Sequence, residues 1–319
     1  MTPYEYQYEQ LQRIFIVVTD ACRARCKLCS YWQTTSGSEK YLSLSFINSK
    51  VIPLIRQYRI NGVCITGGEP ALHPELPKIL ETLNQTGVII TLITNGSQLA
   101  PLFDRIKYNV HAWLFSLDAD NENLHRQIRG LDNFVELIAW PEKIKAAYPA
   151  AQIAFNCLIQ KQNIRSLVHL YELICYLPCE GLFFNVPDLN SHCFGRRNRN
   201  ISEKDIKKYV VPDDEEMEIL RSSLAEICEL DARKGRGKIM QSDAFFKGCI
   251  NYFEFLRGKE AASKDNDNSC PVPKSSLVVD ESGNILSCFY LPPDFRDRPV
   301  DQQEELKVKY CRRCFQFQG

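Results

Sequence analysis

The 319-residue chain has no charge excess of either sign, with 39 Lys+Arg against 39 Asp+Glu. That balance argues against bulk binding to nucleic acid or to a membrane surface, which needs a surplus of positive charge. No apolar run approaches the roughly 20 residues of a membrane span. The start, Met1-Thr2-Pro3-Tyr4-Glu5, lacks the basic and apolar regions of a secretory signal, so the expected compartment is the cytoplasm. The five His form no H-E-x-x-H pairing. There is neither a G-x-x-x-x-G-K-S/T phosphate loop nor a G-x-G-x-x-G fingerprint. No internal repeat or low-complexity tract is present.

Cysteine, in contrast, is abundant, at 14 residues. A small secreted chain with that many would be read as a disulfide framework. In a long chain with 45% hydrophobic residues and no export signal, clustered Cys point to metal binding or chemistry.

The first two thirds alternates short apolar runs with helical patterns. The runs are Ile14 to Val18, Val63 to Ile65, Val88 to Ile93, Ala112 to Phe115, Ile153 to Ile159 and Leu182 to Val186. They are short and rich in Val, Ile and Phe, as buried strands are. Phe46 to Tyr58 carries Ile47, Val51, Leu54, Ile55 and Tyr58 at helical spacing, interrupted by Pro53. Leu167 to Leu177 places Leu167, Leu170, Tyr171, Ile174 and Leu177 on one face. This alternation predicts an α/β fold with a parallel sheet of about six strands, either open or a partly closed barrel, its site at the carboxyl ends of the strands. Beyond Pro187 a polar stretch holds the basic knot Arg196-Arg197-Asn198-Arg199, read as a solvated loop. A helix is expected over Asp213 to Leu230, with Met217, Leu220, Leu224 and Ile227 inward. From Asp231 the chain reads as loop-rich and holds five of the 14 Cys, which places a domain change near residue 235.

Cys22, Cys26 and Cys29 follow the first strand in C-x3-C-x2-C spacing. Three thiolates in one short loop suit one side of an iron–sulfur cluster and leave one iron open. A partial zinc site or core Cys are the alternatives. Arg23, Arg25 and Lys27 flank the thiols and are expected to lower their pKa values. At the end of the second strand stands Gly67-Gly68-Glu69-Pro70, with two glycines that let backbone approach a ligand and a carboxylate at the sheet edge.

Together these motifs resemble the radical SAM superfamily, over roughly residues 12 to 190. The resemblance implies a partial (β/α)6 TIM-like barrel. Cys22, Cys26 and Cys29 would hold a 4Fe–4S cluster whose open iron chelates S-adenosylmethionine. Gly67, Gly68, Glu69 and Pro70 would bind its methionine amine. Ser116-Leu117-Asp118-Ala119 and His125 to Gly130 look like a further family stretch, with Ser116 near the ribose and Arg129 pairing with the methionine carboxylate. Asn156 is similar to a polar position near the ligand. Thr94-Asn95-Gly96 reads as a strand-end turn. Leu28 departs from the aromatic residue frequent before the third Cys, a packing change at a position that is not a ligand.

Cys270 and Cys288 lie in a C-x12-G-x4-C pattern around an expected β-hairpin, Ser276 to Asp280 and Asn284 to Ser287. Cys311 and Cys314 form a C-x2-C knuckle. Four such ligands close either a zinc or a four-iron cluster. The pattern resembles the auxiliary-cluster region of SPASM and twitch proteins, the four Cys matching the shorter twitch type. This implies a radical SAM core over residues 1–235, a small hairpin-containing twitch-type domain over 236–319, and a second 4Fe–4S cluster. Cys249 is the candidate hydrogen donor to a substrate radical. Cys64 and Cys157 read as core.

The resemblance implies an oxidoreductase-type enzyme. Reductive cleavage of S-adenosylmethionine would yield a 5′-deoxyadenosyl radical that takes hydrogen from a substrate carbon. The second cluster would support net oxidation by dehydrogenation, cross-linking or thioether formation. A redox-neutral epimerase using Cys249, and a non-catalytic iron–sulfur or zinc protein, are the alternatives. The electron donor would be of flavodoxin or ferredoxin type. Only about a dozen residues precede the first strand, so a small metabolite, or a peptide delivered by a separate partner, is the expected substrate.

Overall fold

In the computed structural model, six parallel strands arise from the six apolar runs. The structure describes residues 11–34, 37–187, 189, 202–234, 237–259 and 275–289, with scattered positions between 291 and 306. The strands are β1 (Arg13–Val17), β2 (Gly62–Thr66), β3 (Ile89–Thr94), β4 (Ala112–Ser116), β5 (Gln152–Leu158) and β6 (Gly181–Asn185). They pair in sequence order, each parallel to the next. This is the open, partial-barrel sheet expected of the alternation.

Burial alternates along the strands. In β5, Ile153, Phe155 and Cys157 are fully buried, while Ala154, Asn156 and Leu158 are half-buried. The period of two in exposure separates a filled face from an incompletely filled one. On the filled face Trp113 stacks with Phe115 at 6.3 Å between ring centroids, and Phe115 meets Phe155 at 5.8 Å. Phe103 and Trp140 close at 5.2 Å.

The helices between the strands are α1 (Tyr31–Thr34), α2 (Leu44–Phe46), α3 (Ile52–Tyr58), α4 (Leu76–Asn84), α5 (Phe103–Ile106), α6 (Glu122–Arg129), α7 (Phe134–Ala147) and α8 (Leu167–Tyr176). The helical pattern at Phe46 to Tyr58 is split. A π-helical turn, Ile47–Val51, joins α2 to α3 and places Pro53 in the first turn of α3. Proline has no N–H to give and is tolerated in a first turn. After β6 come α9 (Glu203–Tyr209), α10 (Asp214–Lys234) and α11 (Asp243–Leu256). α10 buries Met217, Leu220, Leu224 and Ile227, as expected. Asp213 and Glu216 cap it reciprocally: Glu216 N donates to Asp213 Oδ1 at 2.9 Å, and Asp213 N to Glu216 Oε2 at 2.8 Å.

The region after Asp231 is less loop-rich than its sequence suggested. α11 occupies 14 residues of it and buries Phe246, Cys249, Tyr252 and Phe253. Their i, i+3, i+6 and i+7 spacing was the available signal. The expected hairpin is present as β7 (Ser276–Val279) and β8 (Ile285–Leu286), paired antiparallel. It is not set apart from the barrel, because β7 pairs in parallel with β1, from Arg13 opposite Ser276 to Ile16 opposite Val279. The sheet therefore runs β6-β5-β4-β3-β2-β1-β7-β8.

Phe155 tests the helix-facing core. Phe155→Ala is expected to destabilise the protein by roughly 3–5 kcal/mol, seen as a lower urea midpoint with an unchanged slope.

Candidate cofactor site

The loop after β1 is held by backbone on two sides. Towards β2, Gly68 N donates to Thr19 O at 2.8 Å and Glu69 N to Ala21 O at 2.8 Å. A Cβ on Gly67 would lie 2.4 Å from Thr19 O, and one on Gly68 would lie 2.4 Å from Ala21 O. The glycines thus admit the neighbouring loop's own backbone, not only a ligand as their sequence suggested. Towards α6, Arg25 N donates to Arg129 O at 2.7 Å and Lys27 N to Ile128 O at 3.2 Å. Gly130 closes α6 in the left-handed region at φ 64, where a Cβ would meet Arg25 Cβ at 2.7 Å.

Cys22, Cys26 and Cys29, anchored in this way, line one cavity of about 350 Å³. Gly67, Gly68, Ser116, Arg129 and Asn156 share its wall, so the structure brings eight sequence-predicted site residues together. Asn95, Asp118 and Asn185 line it too. In sequence Asn95 reads as part of a turn, and Asp118 and Asn185 carry no assigned role. The common signal is a polar residue at or just beyond the carboxyl end of a buried strand. A second cavity of about 920 Å³ reaches the amino ends of the strands, and both cavities are bounded by Ile93, Asn156 and Asn185. Asn185 Nδ2 donates to Asn156 Oδ1 at that junction.

Glu69 and Pro70 do not line the cavity. Glu69 is 1% exposed and its carboxylate is taken up within the protein. Thr94 Oγ1 donates to Oε1 at 2.7 Å, Ala71 N to Oε1 at 3.1 Å, and Asn95 N to Oε2 at 2.7 Å. Burial raises its pKa, and these donors offset part of the rise. Glu69 therefore braces the ends of β2 and β3, while Pro70 opens a short 3-10 turn over Pro70–Leu72.

At Cys22 and Cys26 burial, not the flanking cations, is the largest influence on the thiol. Burial pushes Cys22 and Cys26 up to about 12. Arg25 turns its guanidinium to the carbonyls of Cys22 and Ala24, at 3.1 and 3.0 Å, and lies over the Trp32 ring. The cation that lowers Cys26 against burial is Arg129, distant in sequence.

Arg129 is buried against Asp118, with NH2 2.8 Å from Oδ2. Asp118 Oδ1 also accepts from Leu158 N at 2.7 Å. Burial is the largest influence and opposes the guanidinium charge, and Asp118 together with Cys26, Cys157 and Cys22 outweighs it. Arg129 lines the cavity, and its Nε is buried without a hydrogen-bond partner.

Cys249 is fully buried in α11 and does not line the cavity. Cys64 and Cys157 are buried in strands, as expected. Cys288 follows β8 and is half-buried. Cys270, Cys311, Cys314 and the basic knot at Arg196 to Arg199 lie outside the described residues.

An open parallel barrel with a thiol-lined cavity at its carboxyl edge is the layout of an enzyme that seats a cofactor on its strand ends. Residues 16–174, about half of the chain, match the profile of the Radical SAM superfamily. A protein of Saccharolobus solfataricus named "Probable GTP 3',8-cyclase" is 30% identical over 173 residues, covering 51% of this chain and 53% of that protein. The chain thus spans about half the length of the relatives it matches. SuiB of Streptococcus suis, solved with its precursor peptide SuiA, superposes with a TM-score of 0.64 at 11% identity, over 88% of this chain and 60% of that one. The structure of anSMEcpe with bound AdoMet gives 0.63 at 18% identity, over 96% and 87%. These two show a shared fold.

The family implies a 4Fe–4S cluster and S-adenosylmethionine. The residues present fit both: Arg129 and three thiols line one cavity, and although no three ligands among the described residues converge on a single metal ion, a cluster places its thiolates on different irons.

Two substitutions test this construction. Gly68→Ala is expected to force the two backbones apart, destabilise the protein by on the order of 2–3 kcal/mol and lower iron retention after anaerobic reconstitution. Asp118→Asn keeps the acceptor for Leu158 N but leaves Arg129 a buried, unpaired cation. A loss of roughly 3–5 kcal/mol is expected in urea denaturation of the apoprotein.

Proposed function

We propose that this chain is an oxidoreductase-type radical SAM enzyme acting on a small metabolite or a peptide, with a second 4Fe–4S cluster that accepts the electron of net oxidation. The observation that carries the core of this reading is the single cavity onto which Cys22, Cys26, Cys29, Ser116, Arg129 and Asn156 all open. When bound, the cluster and S-adenosylmethionine supply a 5′-deoxyadenosyl radical that takes hydrogen from an unactivated carbon.

The chain's residues have separable tasks in this proposal. Cys22, Cys26 and Cys29 hold the cluster and leave one iron open. Arg129, paired with Asp118, offers its guanidinium to the methionine carboxylate. Gly67 and Gly68 present backbone at the cavity wall for the amine, and Glu69 and Pro70 hold that turn in place. Ser116 and Asn156 offer polar groups to the nucleoside part, with Asn185 orienting the Asn156 amide.

The auxiliary cluster is proposed at Cys270, Cys288, Cys311 and Cys314, in a twitch-type unit over residues 236–319 after a core over 1–235. The β7–β8 hairpin supports it by carrying Cys288 at the end of β8, one strand removed from β1 across β7. Contacts of the hairpin turn to the cluster-loop side add support: Tyr31 OH donates to Glu281 Oε2 at 3.4 Å and Lys40 Nζ to Ser282 Oγ at 2.9 Å. A flavodoxin- or ferredoxin-type protein is proposed as reductant. The redox-neutral alternative draws no support from Cys249, which faces the core of α11 instead of the cavity.

Iron counting tests the proposal. Anaerobically reconstituted wild type is expected to hold about eight irons, and a Cys22→Ala/Cys26→Ala/Cys29→Ala triple variant about four, with cleavage of S-adenosylmethionine lost. About four falling to none, with zinc retained, removes the auxiliary electron acceptor.

A further inference from the structure

Asn95 stands just beyond the carboxyl end of β3 and is 5% exposed. Its carboxamide has one allowed orientation. Oδ1 accepts from Ser97 N at 3.0 Å, closing an Asx turn. The other end, Nδ2, therefore points away from that turn and lies 3.8 Å from Cys22 Sγ. The assignment of oxygen and nitrogen follows from the donors around it, since a backbone N–H needs an acceptor.

The backbone of Asn95 is fixed as firmly. Its N–H donates to Glu69 Oε2 at 2.7 Å. Its carbonyl accepts from Asn133 Nδ2 at 3.0 Å, and Asn133 Oδ1 meets His125 Nε2 at 3.1 Å. Asn95 is thus tied to the Glu69 brace on one side and to α6 and the start of α7 on the other. The amide has little freedom to turn from the sulfur. Cys26 is placed differently: its sulfur faces the carbonyl of Arg129, an acceptor, at 3.9 Å.

A hydrogen bond to a cluster sulfur stabilises the more negative, reduced cluster over the oxidised one and raises its reduction potential. We propose that Asn95 is a redox-tuning residue, whose side-chain N–H donates to the Cys22 thiolate of the bound cluster and favours its one-electron reduction. One electron leaves a low-potential donor of the flavodoxin or ferredoxin class and enters the cluster, with no bond made or broken at Asn95. The inference rests on the reading of Cys22, Cys26 and Cys29 as cluster ligands.

The test uses the full chain, reconstituted anaerobically, with the cluster's EPR signal followed against applied potential. The signal that changes on adding S-adenosylmethionine identifies the cluster concerned. Asn95→Asp keeps an oxygen for Ser97 N and replaces the donor with an acceptor, whereas Asn95→Ala removes both. At equal iron content, the equilibrium constant for reduction is expected to fall about tenfold in Asn95→Asp, or about 59 mV for one electron. Asn95→Ala is expected to shift in the same direction by less. An unshifted potential in both variants overturns this inference alone. If neither variant holds a cluster, wild type carrying ¹⁵N in its asparagine side chains decides: pulsed EPR is expected to show a ¹⁵N coupling to the reduced cluster, and its absence overturns the inference. A wild type that assembles no cluster overturns the cluster reading itself.

Discussion

The site depends on one close backbone contact. Thr19–Ala21, leaving β1, runs against Gly67–Glu69, leaving β2, so closely that a side chain on either glycine would overlap a carbonyl oxygen. The contact has two consequences. It fixes where the cysteine loop starts, and it turns the Glu69 carboxylate inward, where three donors converge on it. Two of those donors belong to Thr94 and Asn95, beyond which the Asn95 amide reaches Cys22. A chain of short contacts thus links three strand ends to one sulfur. Parallel pairing makes this possible, because it collects every carboxyl strand end on one rim.

The electrostatics of that rim are set by burial more than by the charges nearest in sequence. The three basic residues of the cysteine loop are within two positions of a thiol, yet Cys22 and Cys26 have raised pKa values because the loop is folded against α6 and β2. The one guanidinium that opposes this for Cys26 is Arg129, a buried cation balanced by Asp118. A buried pair of this kind is costly to break and holds a fixed donor geometry, which suits a site that must present the same face to a charged ligand each time.

The C-terminal hairpin extends the sheet that carries the site. β7 adds to the free edge of β1, the strand from which the cysteine loop departs. Cys288 is thereby anchored through β8 and β7 to the element that positions Cys22. An electron acceptor held there would keep a defined relation to the cavity, since register fixes one strand against the next.

Much of this was legible in local sequence. The six strands, the helix at α10 with its inward residues, the hairpin and the three clustered cysteines all follow from periodicity or from spacing along the chain. Those signals are local because strand and helix periods repeat over a few residues and a short loop limits how far its thiols can spread. α11 carries a local signal too, in the spacing of Phe246, Cys249, Tyr252 and Phe253, within a stretch whose composition suggests loop. Other features had no local signal. Glycines expected at a ligand also admit the backbone of the loop after β1, Glu69 faces a brace instead of the cavity, Arg25 turns to carbonyls, and Asn95 and Asp118 acquire partners 73 and 11 positions away. Sequence by itself determined which elements form and which residues stand at their ends. Tertiary structure decided which of those residues meet, because pairing register and the buried contact between strand ends set distances that spacing along the chain does not contain.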